Sequence, residues 1–219
     1  MQRMSYFYLF FITFFSNSIC VAQNQLSQVF KISSTVTVVI EKGDITQCQT
    51  EAIVNAANEQ LAGGGGVCGA IFKAAGWQEL QAACDIYPKN NGVRCPVGQA
   101  RITDSFKLKS RGIKHIVHAV GPNCGVIKDE HQQNSLLESA YKNSLILADQ
   151  YTIKSIAFPF ISSAIYAFPK ERAARIALKT ILEYSRNTQI TSIYFMLFSE
   201  QDHALFCKVI KELLFDRAK

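Results

Sequence analysis

Asn55-Ala56-Ala57-Asn58-Glu59-Gln60-Leu61-Ala62-Gly63-Gly64-Gly65-Gly66-Val67 leads into an apolar run that ends at Ala75. Four of the twelve glycines of the chain stand side by side here, between a strand-like and a helix-like segment. Glycine lacks a Cβ, so its amides approach a ligand closely and its φ can be positive. A helix that starts just after such a loop presents unpaired N–H groups and the positive end of its dipole. Loop and helix end together suit the holding of phosphate. A flexible loop without a ligand is the plainer alternative.

Working outward, strand-like and helix-like segments alternate. Thr35 to Lys42 alternates and is β-branched, and Gly43-Asp44 ends it. Ala52 to Val54 suits a buried strand, and Val67 to Ala83 has helical spacing through Val67, Ile71, Ala74, Ala75 and Leu80. Strands are expected at Gln99–Thr103, Ile113–Val120, Ser155–Phe160 and Ile190–Phe198. Helices are expected at Ser135–Asp149, from Pro169 to Tyr184, and at Gln201–Phe215. The alternation implies an α/β protein: a three-layer α/β/α sandwich with a mixed, largely parallel central sheet. Ligands of such sheets sit beyond the carboxyl ends of the strands, where both the glycine loop and Ser162–Phe168 fall.

Composition sets the limits. Of 219 residues, 48% are apolar and 18% charged, which fits one globular core. The formal charge of +6 comes from scattered Lys and Arg, so nucleic acid is not implied. Residues 1–22 differ: Arg3 is their only charge, Tyr6–Phe15 is apolar save Thr13, and Cys20-Val21-Ala22 offers small residues before a cut. This reads as a signal peptide, and its apolar stretch is shorter than the roughly 20 residues a membrane span needs. Export to the periplasm or medium is expected, or membrane anchorage if the segment is retained. Residues 23–34 read as a loosely ordered lead, and 35–217 as the folded domain. Removal of the leader leaves Cys48, Cys68, Cys84, Cys95, Cys124 and Cys207. They form no C-x-x-C pair, and thiols packed in a core are the preferred reading over disulfides. The four histidines show no spacing suited to zinc, so no metal and no cofactor is called for.

Several motifs, taken in order, resemble the MacroD type of macrodomain, the Appr-1''-p processing or ADP-ribose-binding family. They are Gly43-Asp44-Ile45-Thr46; Ile53-Val54-Asn55-Ala56-Ala57-Asn58; Gly63-Gly64-Gly65-Gly66-Val67; Gly98-Gln99-Ala100-Arg101-Ile102-Thr103; His118-Ala119-Val120-Gly121-Pro122; and Ala157-Phe158-Pro159-Phe160-Ile161-Ser162-Ser163 before Tyr166 and Pro169. The likeness runs from about Val36 to Leu214. It implies a site for free ADP-ribose or for mono-ADP-ribosylated protein, in a chain that is a monomer by default. By that resemblance Asp44, with the Ile45 amide, takes the adenine amino group. Asn58 takes the distal ribose, and Gly63, Gly64, Gly65, Gly66 and Val67 hold the diphosphate from one side. Ser162, Ser163, Ala164, Ile165 and Tyr166 hold it from the other, with Tyr166 against the distal ribose. Phe160 or Phe168 would cover the adenine.

The chain departs from that pattern in places. Cys68 stands where the hydrolases carry aspartate, and Phe72 where they often carry histidine. A neutral thiol accepts no proton, and loss of a positioned base typically costs about 10²–10⁴ in rate. A thiol at a helix N-terminus either ionises or simply packs; packing is preferred. Asn58, orienting the ribose, and Cys68 remain the catalytic candidates. Ala164 and Ala167 replace glycines, at on the order of 1 kcal/mol if φ is positive there. The expectation is an ADP-ribose binder with weak ADP-ribosyl hydrolysis. The alternatives are an active ADP-ribosylhydrolase or O-acetyl-ADP-ribose deacetylase using substrate-assisted water, and a degenerate domain used for protein contacts.

Overall fold

The computed structural model describes residues 27–217. The signal-peptide reading of residues 1–22 lies outside the described residues. Strands β1 (Ser27–Lys31), β2 (Thr37–Lys42), β3 (Ala52–Ala56), β4 (Ala100–Asp104), β5 (His115–Ala119), β6 (Ser155–Phe158) and β7 (Ser192–Leu197) form one sheet. Its spatial order is β1-β2-β7-β6-β3-β5-β4. The five inner strands are parallel, and β1 and β4 run antiparallel at the two edges. The expected three-layer sandwich is therefore the observed fold.

Helices α1 (Gly66–Ala75) and α2 (Trp77–Asp85) cover one face; α3 (Glu130–Gln150), α4 (Lys170–Tyr184) and α5 (Glu200–Arg217) cover the other. Both faces are buried, which explains why the strands read as continuous apolar runs. On β3, Ile53 packs under α1 while Val54 packs on the opposite side; on β5, Ile116 and Val117 divide in the same way. An aromatic column, Tyr141–Phe158–Phe195–Phe206–Phe160, crosses the second layer and ends at the sheet's carboxyl edge.

Three expectations need correction. The described part of the lead is not loosely ordered, because Ser27–Lys31 adds β1 to the sheet in register with Thr37–Glu41. The helix expected over Val67–Ala83 is two helices. Gly76 breaks it at φ +101°, a conformation that side-chain-bearing residues avoid. Helix α3 starts at Glu130 rather than Ser135, because Asp129 caps it by accepting from the His131 and Gln132 amides. All six described cysteines are free.

A buried polar knot ties the first layer to the sheet. Asn55 Nδ2 lies 3.2 Å from His118 Nδ1 and 3.6 Å from Cys68 Sγ. An amide nitrogen only donates, so Nδ1 accepts and the neutral ring carries its proton on Nε2. Nε2 meets Thr103 Oγ1 at 2.9 Å, with Cys84 Sγ at 3.7 Å. His118 is fully buried, and burial lowers its pKa from 6.5 to about 4. Below pH 6.5 the unfolded chain takes up a proton that the folded ring refuses until about pH 4. Stability is thus complete above 6.5 and is lost as pH falls through that window, by about 3 kcal/mol in all. Urea melts across it should show this slope, and His118→Gln should flatten it; an unaltered slope in the variant would contradict the assignment.

Candidate functional site

The carboxyl ends of all five parallel strands open on one edge of the sheet. From β3 leaves Asn58 and the glycine loop, from β5 Gly121, from β6 the Phe160–Phe168 loop, and from β2 and β7 Gly43 and Phe198. Between the first three lies a cleft of about 300 Å³. It is lined by Ala56, Ala57, Asn58, Gly64–Cys68, Gly121, Phe160–Ser162 and Ala164–Tyr166. No charged side chain is among the lining residues.

The first wall is built by the glycines. Gly65 precedes α1 in extended conformation, Gly66 has φ +58°, and a Cβ on either would point into open space. No side chain caps α1 and its first turn holds no acid. The Gly65, Gly66 and Val67 amides have no hydrogen-bond partner among the described residues. They are donors at a positive helix end. Gly63 is a different case. Its own surface is covered by Trp77 and Phe72, where a Cβ would come within 2.5 Å and 3.0 Å of the two rings. It serves packing and does not line the cleft.

Asn58 closes the loop beneath. Its Oδ1 accepts from the Ala62 amide at 3.0 Å, and its Nδ2 donates to the Ala62 carbonyl at 2.9 Å. Each polar atom of an amide has capacity for two bonds, so one donor and one lone pair stay available on a side chain held rigidly at the cleft. Cys68 is 6% exposed, and burial pushes its thiol up despite the Asn55 amide beside it. The helix end does not ionise it; the preference for packing over a thiolate holds.

The second wall turns on two left-handed residues, Ser162 at φ +63° and Ala167 at φ +51°. Ala167 therefore stands in the conformation glycine favours, at about 1–2 kcal/mol; Ala164 does not. The turn is closed by Phe168 N–H donating to Ser162 O and Ala167 N–H to Ala164 O. The amides of Ser162, Ala164, Ile165 and Tyr166 remain unpaired among the described residues. Ser162 Oγ is buried without a partner. Ser163 faces away from the cleft and bonds the Phe160 carbonyl at 2.8 Å. Tyr166 lines the cleft half-buried; burial first, then the charge of Glu59, pushes its phenol up.

Asp44 and Ile45 do not reach this cleft. Asp44 caps a short 3₁₀ turn by accepting from the Thr46 amide at 2.9 Å, and Ile45 is buried beneath α1. Asp44 is exposed on a neighbouring depression with Glu41, Gln47 and Tyr194. Phe168 is 1% exposed under the Arg172 guanidinium, so it covers no ligand; Phe160 is the aromatic that faces the cleft.

The parts played by two residues escaped the sequence reading. A Cβ on Gly121 would collide with Ser162 Oγ and stand 2.6 Å from Ile161 Cγ2, so only glycine lets the second wall come down. Gly121 belongs to the His118–Pro122 motif, but its close approach to the second wall was not read from it. Phe198, 89% exposed at the end of β7, was read as part of that strand.

Known proteins share this arrangement. The family model described as "Macro domain" matches residues 54–177. A macro domain-containing protein of Caldanaerobacter subterraneus is 46% identical over 78% of this chain and 94% of its own length. A protein of Escherichia fergusonii named O-acetyl-ADP-ribose deacetylase is 44% identical over 78% of this chain and 93% of its own. Among solved structures, an Oceanobacillus iheyensis macrodomain with ADP superposes with TM-score 0.79 at 38% identity, covering 87% of this chain and 97% of that one. A Trypanosoma brucei macrodomain in complex with ADP-ribose gives 0.69 at 31% identity, covering 79% of this chain and 68% of that one. Family match, relatives and fold agree: this chain is a member of the Macro domain family.

Proposed function

We propose that this chain binds ADP-ribose, free or attached to protein, and hydrolyses the attached form only weakly. The observation that carries this reading is the pair of amide sets, Gly65–Val67 on one wall and Ser162, Ala164, Ile165 and Tyr166 on the other, across a cleft with no charged lining. Main-chain donors in fixed positions suit a diphosphate. Beyond one end, β2 and β7 pair through Lys42 and Leu197, so Asp44 and Phe198 leave the sheet side by side. Only one Asp44 oxygen is used by its cap. The other can accept from an adenine amino group, while the exposed ring of Phe198 offers a stacking face. At the opposite end Asn58 has one donor and one acceptor left for a ribose. The Escherichia fergusonii relative named O-acetyl-ADP-ribose deacetylase supports the second reading, an active hydrolase. The neutral, packed thiol of Cys68 argues against it, because general-base assistance needs a group that takes a proton.

Gly65→Val tests the cleft. Its Cβ meets nothing within 4 Å, so the side chain fits the fold and projects into the ligand's space. Calorimetry should show ADP-ribose affinity reduced by about 100-fold or more, about 2.7 kcal/mol, with the melting temperature within a few degrees of wild type. Retained affinity would place the ligand elsewhere. Cys68→Asp tests the missing base: release of ADP-ribose from a mono-ADP-ribosylated protein should rise by about 10². An unchanged rate would mean that the thiol is not what limits turnover.

A further inference from the structure

Trp77 and Gln81 stand one turn apart on α2 and grip the glycine loop from outside. The Trp77 ring lies against the Cα of Gly63, where a Cβ would come within 2.5 Å of it. Gln81 is half-buried, and both polar atoms of its side chain have partners. Its Oε1 accepts from the Gly63 amide at 2.9 Å. Its Nε2 donates to the Leu61 carbonyl at 3.4 Å and to Asp85 Oδ1 at 3.2 Å. A backbone N–H only donates and a carbonyl only accepts, so these partners fix which way round the Gln81 amide sits. Asp85 is itself held by Arg94 at 2.6 Å, and the Arg94 amide donates to the Glu59 carbonyl at 2.8 Å. Helix α2 and the segment after it thus hold the loop backbone at three points: Glu59, Leu61 and Gly63.

The held stretch is one that does not keep its shape unaided. Leu61 has φ +55°, a left-handed conformation unfavourable to a residue with a side chain. Such residues persist only where their surroundings over-determine them. The glycines that follow have more backbone freedom to lose than any other residue. Just downstream, the Gly64 carbonyl lies against Gly69 of α1, where a Cβ would come within 2.5 Å of it. The loop is therefore fixed from the protein side at Gly63 by α2 and at Gly64 by α1. The unpaired amides of Gly65, Gly66 and Val67 follow at once. Upstream, Asn58 bonds both the amide and the carbonyl of Ala62, which lies between the two residues that Gln81 holds. Gln81 is not among the residues that line the cleft. Its contact is with the backbone that joins Asn58 to the diphosphate amides.

We propose that Gln81 is a positioning residue of this site: its bond to the Gly63 amide sets the glycine loop, before the ligand arrives, in the conformation that takes a diphosphate. The inference rests on the ADP-ribose reading above. A loop ordered in advance spares the ligand the ordering cost that a free run of four glycines would impose on binding. Helix α2 is then part of the binding apparatus, although none of its residues lines the cleft.

The test uses the folded chain, with ADP-ribose and ADP titrated by calorimetry. Gln81→Met keeps the length of the side chain and removes its hydrogen bonds. Gln81→Glu keeps an acceptor for the Gly63 amide and removes the donor to Leu61. In Gln81→Met the Kd for ADP-ribose should rise about tenfold, which is about 1.4 kcal/mol and within the range of one or two hydrogen bonds. ADP carries the same diphosphate without the distal ribose, so its Kd should rise in parallel. Gln81→Glu should bind both ligands within about threefold of wild type. A side chain that only fastens α2 to the loop would lower the melting temperature and leave each Kd within about threefold in both variants; that result overturns the proposal. So does a loss seen with ADP-ribose but not with ADP, an equal loss in the two variants, or failure of both to fold. A wild type that gives no heat with ADP-ribose removes the ligand assignment itself, and this proposal with it.

Discussion

A neutral imidazole at the centre of the first layer holds the site in shape. His118 on β5 meets Asn55 on β3, Thr103 on β4 and Cys84 on α2, and through Asn55 it reaches Cys68 on α1. Five elements converge on one uncharged ring in a dry environment, where polar contacts are strong and unpaired groups costly. The start of α1 is therefore anchored to the sheet, and the glycine loop that leads into it has a fixed end point. The Asn55 carbonyl oxygen alone stays unpartnered in the knot.

On that anchor the two walls are defined by what is absent. Gly65 and Gly66 bear no side chain where the first wall faces the cleft, and Gly121 bears none where the second wall crosses β5. The result is a groove lined by main-chain donors and largely apolar side chains. The attraction it offers an anion comes from oriented amides and a helix end, not from lysine or arginine. Such attraction is short-ranged and directional, which fits a chain whose +6 charge is spread over its surface. The aromatic column ending at Phe160 supports the second wall from behind, and the Tyr141 hydroxyl takes the Ile161 amide at 3.3 Å.

The alternation of strands and helices was legible because both periodicities are local, and the glycine run was legible because it has no other ready use. The break at Gly76 was not, since apolar spacing continues through it and only φ reveals the turn. Strand β1 was hidden because its inward-facing positions hold a single large apolar residue, Phe30, against the core. Choosing between Phe160 and Phe168 required the left-handed turns at Ser162 and Ala167, which serine and alanine do not advertise as glycine would. The separation of Asp44 and Ile45 from the main cleft follows from the distance in the sheet between β2 and β3, which have β7 and β6 between them. Motif order along the chain carries no such spacing.

Trp77 is the only tryptophan of the chain, and its ring lies across Gly63 and beside Phe72 at 5.3 Å. It is 46% exposed, half in water and half against the loop. Ultraviolet emission excited at the red edge of the indole band therefore originates at one place in the molecule, on the outer flank of the glycine run. The protein carries its own optical probe of that loop, with no second indole to dilute the signal.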